Sequence, residues 1–266
     1  MIYSFIKKIV LFIHYFFFML SFQKWKINEK NVDRLAFDQY VKKRITRQND
    51  YKKKLPTVSA IYRVKNGAEY IEASILSIAT FVTQIIIVDN NSSDDTRRIA
   101  ERLSHDLKDI CQIKIYTYTK NVAIAGEGYI QNLDGDDNSL ASFYNYSFSL
   151  GDCDYLMKVD AHYIFSSYGI DVLQKQLAKK YDGIVYRGIE FYGKWMSNEM
   201  FLYKRSLGLK YEDGDFYECL IWDRKKLRIK TLIKPIYLHM KRISFVKYIN
   251  DESPIFSKYR NKNEEK

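Results

Sequence analysis

The residues best suited to chemistry lie in Tyr155-Leu156-Met157-Lys158-Val159-Asp160-Ala161-His162. The first part has the apolar character of a buried strand. It ends in a carboxylate, a small residue and an imidazole. An Asp and a His one residue apart can chelate one divalent cation where the pleat of a strand breaks. The same pair can equally be a solvated strand end, and so short a motif does not decide between the two. A second acidic stretch is Tyr211-Glu212-Asp213-Gly214-Asp215-Phe216-Tyr217-Glu218. Its carboxylates are either proton acceptors or caps and surface charge. His14 and His105 are assigned no role. Cys111, Cys153 and Cys219 are far apart, with neither metal spacing nor a disulfide framework, which fits a reducing compartment.

These residues need a scaffold, and the pattern upstream supplies one. Residues 57–64 (TVSAIYRV) read as a buried strand, Asn66-Gly67 as a turn and 69–81 as a helix. Residues 83–88 read as a second strand, apolar enough to be covered on both faces. The loop from Asp89 to Thr96 opens a helix over 96–107, and 113–119 forms a third strand. Strand-helix-strand order predicts a parallel sheet whose ligands bind at the carboxyl ends of its strands, where Asp89 stands. Residues 121–142 carry Gly126, Gly128 and Gly135 with Asp134, Asp136 and Asp137. They read as a mobile loop at the mouth of the site, and they lack the spacing of an EF-hand. After the Asp-Ala-His strand, 169–180 reads as a helix, 183–191 as one strand, and MFLYK as another. Trp195, beside Asn198 and Glu199, is either a sugar platform or a core ring.

VSAIYRVKN followed by IIIVDNNSSDDT resembles the opening of family 2 glycosyltransferases with the GT-A (nucleotide-diphospho-sugar transferase-like) fold. Asp89, Ser92, Asp94 and Thr96 match that family's Val-Asp-Asp-Gly-Ser-Thr-Asp-x-Thr loop. YLMKVDAH falls where the family carries Asp-x-Asp. The resemblance is good over 57–160 and loose beyond. It implies an α/β fold with a mostly parallel central sheet flanked by helices, to which this sequence adds an apolar N-terminal helix. It also implies a nucleotide-sugar site. Arg63, Val64 and Asn66 would wall base and ribose, Asp89 would accept from a uracil-like N–H, and Asp160 would complete donor binding. Asp94 would cap the helix and hold the loop. Asn145 matches the Asn of the helix before the metal strand. Tyr144 stands where an Arg often precedes that Asn, so no phosphate contact carries over.

His162 departs from the family pattern. An Asp-x-His motif with a later His completing the site resembles polypeptide N-acetylgalactosaminyltransferases. It implies Asp160, His162 and His239 as ligands of Mn²⁺ or Mg²⁺. His239 follows the apolar run 232–238, a strand or loop returning across the site. Exchanging Asp for His removes one negative charge and biases the site away from Mg²⁺. The family's acidic base follows a Gly-rich aromatic turn at the start of a helix. That implies Glu218, with Asp215 second, and a helix N-terminus that keeps the carboxylate ionised. The reaction implied is an inverting displacement at the anomeric carbon. Lys204, Arg205, Lys225, Lys226 and Arg228 are cations suited to the diphosphate or to an anionic acceptor.

The chain has 266 residues, a formal charge of +11 and high aromatic content, with 23 Tyr and 16 Phe. Such a balance favours anionic partners. Residues 1–26 are predicted to form an apolar helix on the inner leaflet, its lysines on headgroups; 9–20 is short for a span. The expected organisation is that helix, a basic connector over 27–55, a glycosyltransferase domain over 56–250 and a charged tail over 251–266. The expected partners are a UDP-sugar, a glycan or lipid-linked acceptor and the inner-leaflet surface, but no nucleic acid. Cell-envelope polysaccharide or lipopolysaccharide synthesis at the cytoplasmic face is the implied setting. Two other readings stay open: an inactive GT-A partner subunit, and a basic nucleic-acid-binding protein.

Overall fold

The computed structural model describes residue 52 and residues 54–135, 137–190 and 193–240. The expected membrane helix at 1–26, nearly all of the connector and the tail at 251–266 lie outside the described residues. No helix among those described is long and apolar enough to cross a membrane.

The predicted alternation appears in the expected order. It begins β1 (Val58–Val64), α1 (Ile71–Ile78), β2 (Gln84–Asp89), α2 (Thr96–Asp106) and β3 (Gln112–Thr117). Then come α3 (Leu140–Ser149), β4 (Tyr155–Val159), β5 (Tyr163–Phe165) and α4 (Ser167–Leu177). The remaining strands are β6 (Gly183–Tyr186), β7 (Gly188–Glu190), β8 (Glu199–Lys204), β9 (Tyr211–Asp213), β10 (Glu218–Leu220), β11 (Ile229–Thr231) and β12 (Tyr237–His239). Seven strands form the main sheet in the order β11-β6-β8-β4-β1-β2-β3. Within it β8 runs antiparallel to β4 and β6, and the other pairings are parallel.

The sequence dictates this layering. Every residue of β1 and β2 is buried, as befits strands covered on both faces. Ala60, Tyr62 and Val64 face one core with Ile71, Ile75 and Ile78 of α1, Leu103 of α2 and Leu173 of α4. Ile61, between them in the pleat, faces the other core with Ala141, Phe143, Tyr144 and Phe148 of α3. Helix α3 starts at Ser139, whose hydroxyl accepts from Ser142 N, and α4 starts at Ser166, whose hydroxyl accepts from Gly169 N.

Two expectations need correction. The single strand over 183–191 is two strands in different sheets: β6 stays in the main sheet, while β7 joins a small sheet of order β5-β12-β7. A pleat cannot serve both, and Gly188 starts the second strand against the Tyr237 ring, where any side chain would clash. The helix expected to begin at Glu218 is absent. Glu218 instead opens β10, antiparallel to β9 across the turn that holds Asp215.

Candidate active site

The candidate residues sit where β1, β2 and β4 end. β1 and β4 pair in parallel up to Tyr62 opposite Val159, so Arg63 and Asp160 leave the sheet side by side. Arg63 does not line an open donor site. Its guanidinium turns inward, Nη2 donating to Asp160 Oδ1 at 2.7 Å, and lies over the Tyr144 ring with 3.9 Å from Cζ to the centroid. The side chains are 3% and 23% exposed. Tyr144, at the position where the resembled family often carries an Arg, is thus the platform for an Arg from the neighbouring strand. Burial works against a charged Asp160. The Arg63 guanidinium, with His162 and Lys158, overcomes it and holds the carboxyl well below the usual carboxylate range.

The other donor-binding candidates organise the rim. Asn66 takes a left-handed φ of 55°. Its N donates to Ser92 Oγ at 2.9 Å and its Oδ1 accepts from Ser93 N at 2.8 Å, tying the end of β1 to the loop after β2. Val64 is buried. Asp89 is buried at the end of β2, where Oδ1 accepts from Ser92 N at 3.2 Å. Asp94 accepts from Ala68 N and Thr96 N, each at 3.0 Å, and from the Thr96 hydroxyl, which holds the loop as expected, while the N-cap of α2 is Asp95. Asn145 clamps β9 through two bonds to the Tyr211 backbone, each 2.9 Å.

Asp160, His162 and His239 come together, although 77 residues separate the histidines. His162 Nε2 is 3.9 Å from Asp160 Oδ2. The rings of His162 and His239 are 4.7 Å apart at 79°. β12 brings His239 here by pairing with β5 and β7, and Met240 N donates to His162 O at 2.9 Å. Ser74 of α1 fixes the turn from below, its hydroxyl donating to Tyr163 O at 2.6 Å. No group of three His, Cys, Asp or Glu among the described residues stands in metal-holding geometry as it is. The donor chemistry nevertheless fits a divalent cation. One carboxylate and two imidazoles are a donor set that suits Mn²⁺.

A cavity of about 430 Å³ is lined among others by Lys158, two residues before Asp160, and by Asn198, Glu199, Tyr217, Glu218 and Trp222. Lys158 Nζ lies 3.2 Å from both Glu218 Oε1 and Glu199 Oε2, with side-chain exposures of 12% for Lys158 and 6% for Glu218. Burial favours the neutral amine, but Tyr144 and the carboxylates of Glu199, Glu218 and Asp160 push the Lys158 pKa above its ordinary value. The countercharge for Glu218 is therefore a lysine rather than a helix N-terminus. Asp215 is exposed on the β9–β10 turn and does not line the cavity. The sequence gives Lys158 and Glu199 no role of their own. The signal for Lys158 was a charge inside an otherwise apolar strand.

Several expected cations lie elsewhere. Lys204 pairs with Asp182 at 2.7 Å, and Arg205 Nε donates to Cys153 O at 3.0 Å. The register that sets Lys204 opposite Tyr155 places them at the entry edge of the sheet. Arg228 N donates to Asp182 there. Lys226 pairs with Asp223 on an exposed turn. Arg224, a neighbour of that turn, reaches the cavity instead. Trp195 bridges to Ile189 and carries Arg187 at 5.5 Å.

A family model described as Beta-1,4-N-acetylgalactosaminyltransferase (CgtA) matches residues 46–263. Comparison with curated protein sequences gives no significant match. Among solved structures the chain is similar to S. aureus TarS 1-349, with 12% identity and a TM-score of 0.49, covering 73% of this chain and 63% of that one. It is also similar to the mannosyltransferase PcManGT from Pyrobaculum calidifontis, solved with GDP-Man and Mn²⁺. There the identity is 15%, the TM-score 0.46 and the coverage 70% and 57%. Glucosyl-3-phosphoglycerate synthase from Mycobacterium tuberculosis, solved with Mn²⁺, UDP and glucosyl-3-phosphoglycerate, gives 15%, 0.36, 55% and 48%. The chain spans less than two thirds of the length of each of these structures.

Proposed function

The chain belongs to the family described as Beta-1,4-N-acetylgalactosaminyltransferase (CgtA), and on that premise we propose that it moves an N-acetylgalactosamine unit from a nucleotide-diphosphate donor to a hydroxyl of a glycan or lipid-linked acceptor. The observation that carries the reading is the meeting of Asp160, His162 and His239 where β4 ends, on the strand whose Lys158 lines the cavity with the buried Glu218. A β linkage made from an α-linked donor requires inversion. The acceptor oxygen bonds to the anomeric carbon as the bond from that carbon to the diphosphate oxygen breaks, and the acceptor proton passes to Glu218. Lys158, 3.2 Å from Glu218 Oε1, places a positive charge beside that carboxylate. Asp215 is the second candidate for this role.

Asp160, His162 and His239 would hold Mn²⁺ or Mg²⁺, with imidazole favouring Mn²⁺. The cation would offset charge on the diphosphate leaving group. Asp89 and Asn66 shape the base pocket, and a carboxylate facing a ring N–H favours a UDP-sugar. The setting we infer is envelope polysaccharide or lipopolysaccharide synthesis at the cytoplasmic membrane face. The support for it is the basic charge and the apolar first 26 residues.

The test is a donor panel. Thermal melting with UDP-, GDP-, CMP- and dTDP-sugars, with and without Mn²⁺, should show its largest shift for a UDP-sugar with Mn²⁺. UDP-N-acetylgalactosamine should exceed UDP-glucose. No shift with any donor would sink the reading.

A further inference from the structure

We propose that Glu190 is a positioning residue for the candidate cation site, holding His239 in the tautomer and orientation that present its Nε2 and restoring the carboxylate charge that the Asp-x-His motif lacks. The proposal rests on the cation reading of Asp160, His162 and His239. β7 and β12 pair in parallel with His239 directly opposite Glu190. His239 Nδ1 lies 2.8 Å from Glu190 Oε2, and both residues are buried. A carboxylate accepts only, so Nδ1 carries the proton and donates. A ring that ligates a cation through Nε2 would keep its one proton on Nδ1. A carboxylate behind an imidazole fixes the ring and raises its basicity toward a metal.

The backbone gives Glu190 the rigidity this role needs. Its N donates to Lys194 O at 2.8 Å and its O accepts from Gly193 N at 2.7 Å, which ties its backbone at the strand end. Charge supplies the second reason. Asp160 already shares its negative charge with Arg63 at 2.7 Å, and His162 brings none. A divalent cation between one paired carboxylate and two neutral rings would be poorly compensated. Glu190, one ring removed, adds a carboxylate without occupying a coordination position.

Mn²⁺ binding to the full chain, read as loss of the free-ion electron paramagnetic resonance signal, tests this together with melting of the metal-free proteins. E190A should weaken Mn²⁺ about 10- to 100-fold. E190Q keeps an acceptor and loses the charge, and should fall between E190A and wild type. In an H239A background, E190A should add nothing, because its effect passes through that ring. A wild-type Kd in E190A, or the same loss with and without His239, overturns the proposal. Should E190A fail to fold, an unchanged Kd in E190Q overturns it alone. A wild-type protein that binds no Mn²⁺, or binds it equally after D160N, defeats the cation reading and the proposal with it. Binding that D160N weakens and E190A leaves intact defeats only the role of Glu190.

Discussion

At the scale of residues, the ion pairs of Arg63 and Lys158 do different work. Arg63 and Asp160 hold each other at 2.7 Å beneath the strand ends, and leaving either alone in that setting costs about 3–5 kcal/mol. Lys158 shares itself between Glu199 and Glu218 at the cavity wall. This geometry separates the two candidate bases. Glu218→Gln should lower kcat by roughly 10²–10⁴ while donor affinity stays, since a general base acts on the acceptor proton. Asp215→Asn, on the exposed turn, should leave kcat within a few-fold. Steady-state kinetics on both variants, with donor binding measured separately, checks this. The reverse pattern would move the base to Asp215. Asp89 was legible as a strand-end carboxylate. The inward turn of Arg63 was not, because an Arg near a strand end reads the same whether it faces ligand or core.

At the scale of elements, Asp213 joins three segments. It accepts from the Tyr129 hydroxyl, from Ser139 Oγ at 2.5 Å and from Ala141 N at 2.9 Å. It thereby pins the loop after β3 and the start of α3 to β9, next to Glu218. Burial would raise its pKa, but these donors hold the carboxyl below its ordinary value. A depressed folded pKa gives stability that is present above the unfolded value, about 3.9, and lost as pH falls through the folded value. Asp213→Asn should therefore cost about 1–3 kcal/mol at neutral pH, and the gap to wild type should close below roughly pH 4. Urea denaturation across pH 3–8 measures it. Gly188 offers a second test. A Cβ there would lie 2.2 Å from the Tyr237 ring, which is buried and stacked on Tyr163 at a centroid distance of 4.3 Å. Gly188→Ala should cost about 1–3 kcal/mol by overpacking. It should also weaken Mn²⁺ binding, because β7 and β12 carry Glu190 and His239. A variant with wild-type melting temperature and wild-type Mn²⁺ affinity would show that the small sheet yields freely.

At the scale of the whole molecule, the main sheet has distinct ends. The carboxyl ends of β1, β2 and β4 gather Asn66, Asp89 and Asp160. The entry edge gathers Lys54, Lys180, Lys204 and Arg205 around a cavity of about 680 Å³. Lys204 and Arg205 lie at the opposite end of the sheet from Asp160 because β8 runs antiparallel, so its last residues leave at the edge where β4 begins. Chelation should expose the dependence of the whole site on a cation. With EDTA present, the melting shift produced by the preferred donor should fall by more than half, and Mn²⁺ should restore it better than Mg²⁺. A donor shift indifferent to EDTA would count against cation-assisted binding.

The sequence by itself determined what depends on local pattern. The unbroken apolar runs of β1 and β2, the spacing of α1 and α2 and the Asp89–Thr96 loop specify strand and helix and put the candidate residues at the strand ends, because burial on two faces and helix capping leave few alternatives. It also located Asp160. Only the tertiary structure decided what depends on distant pairing. It joined β7 to β12 and so set Glu190 against His239. It sent Arg63 under Asp160 onto Tyr144, and made Glu218 the start of a strand paired with β9 rather than of a helix. Short strands carry almost no periodic signal of their own. Their identity is fixed by hydrogen-bonding partners far along the chain, and so is the chemistry they bring together.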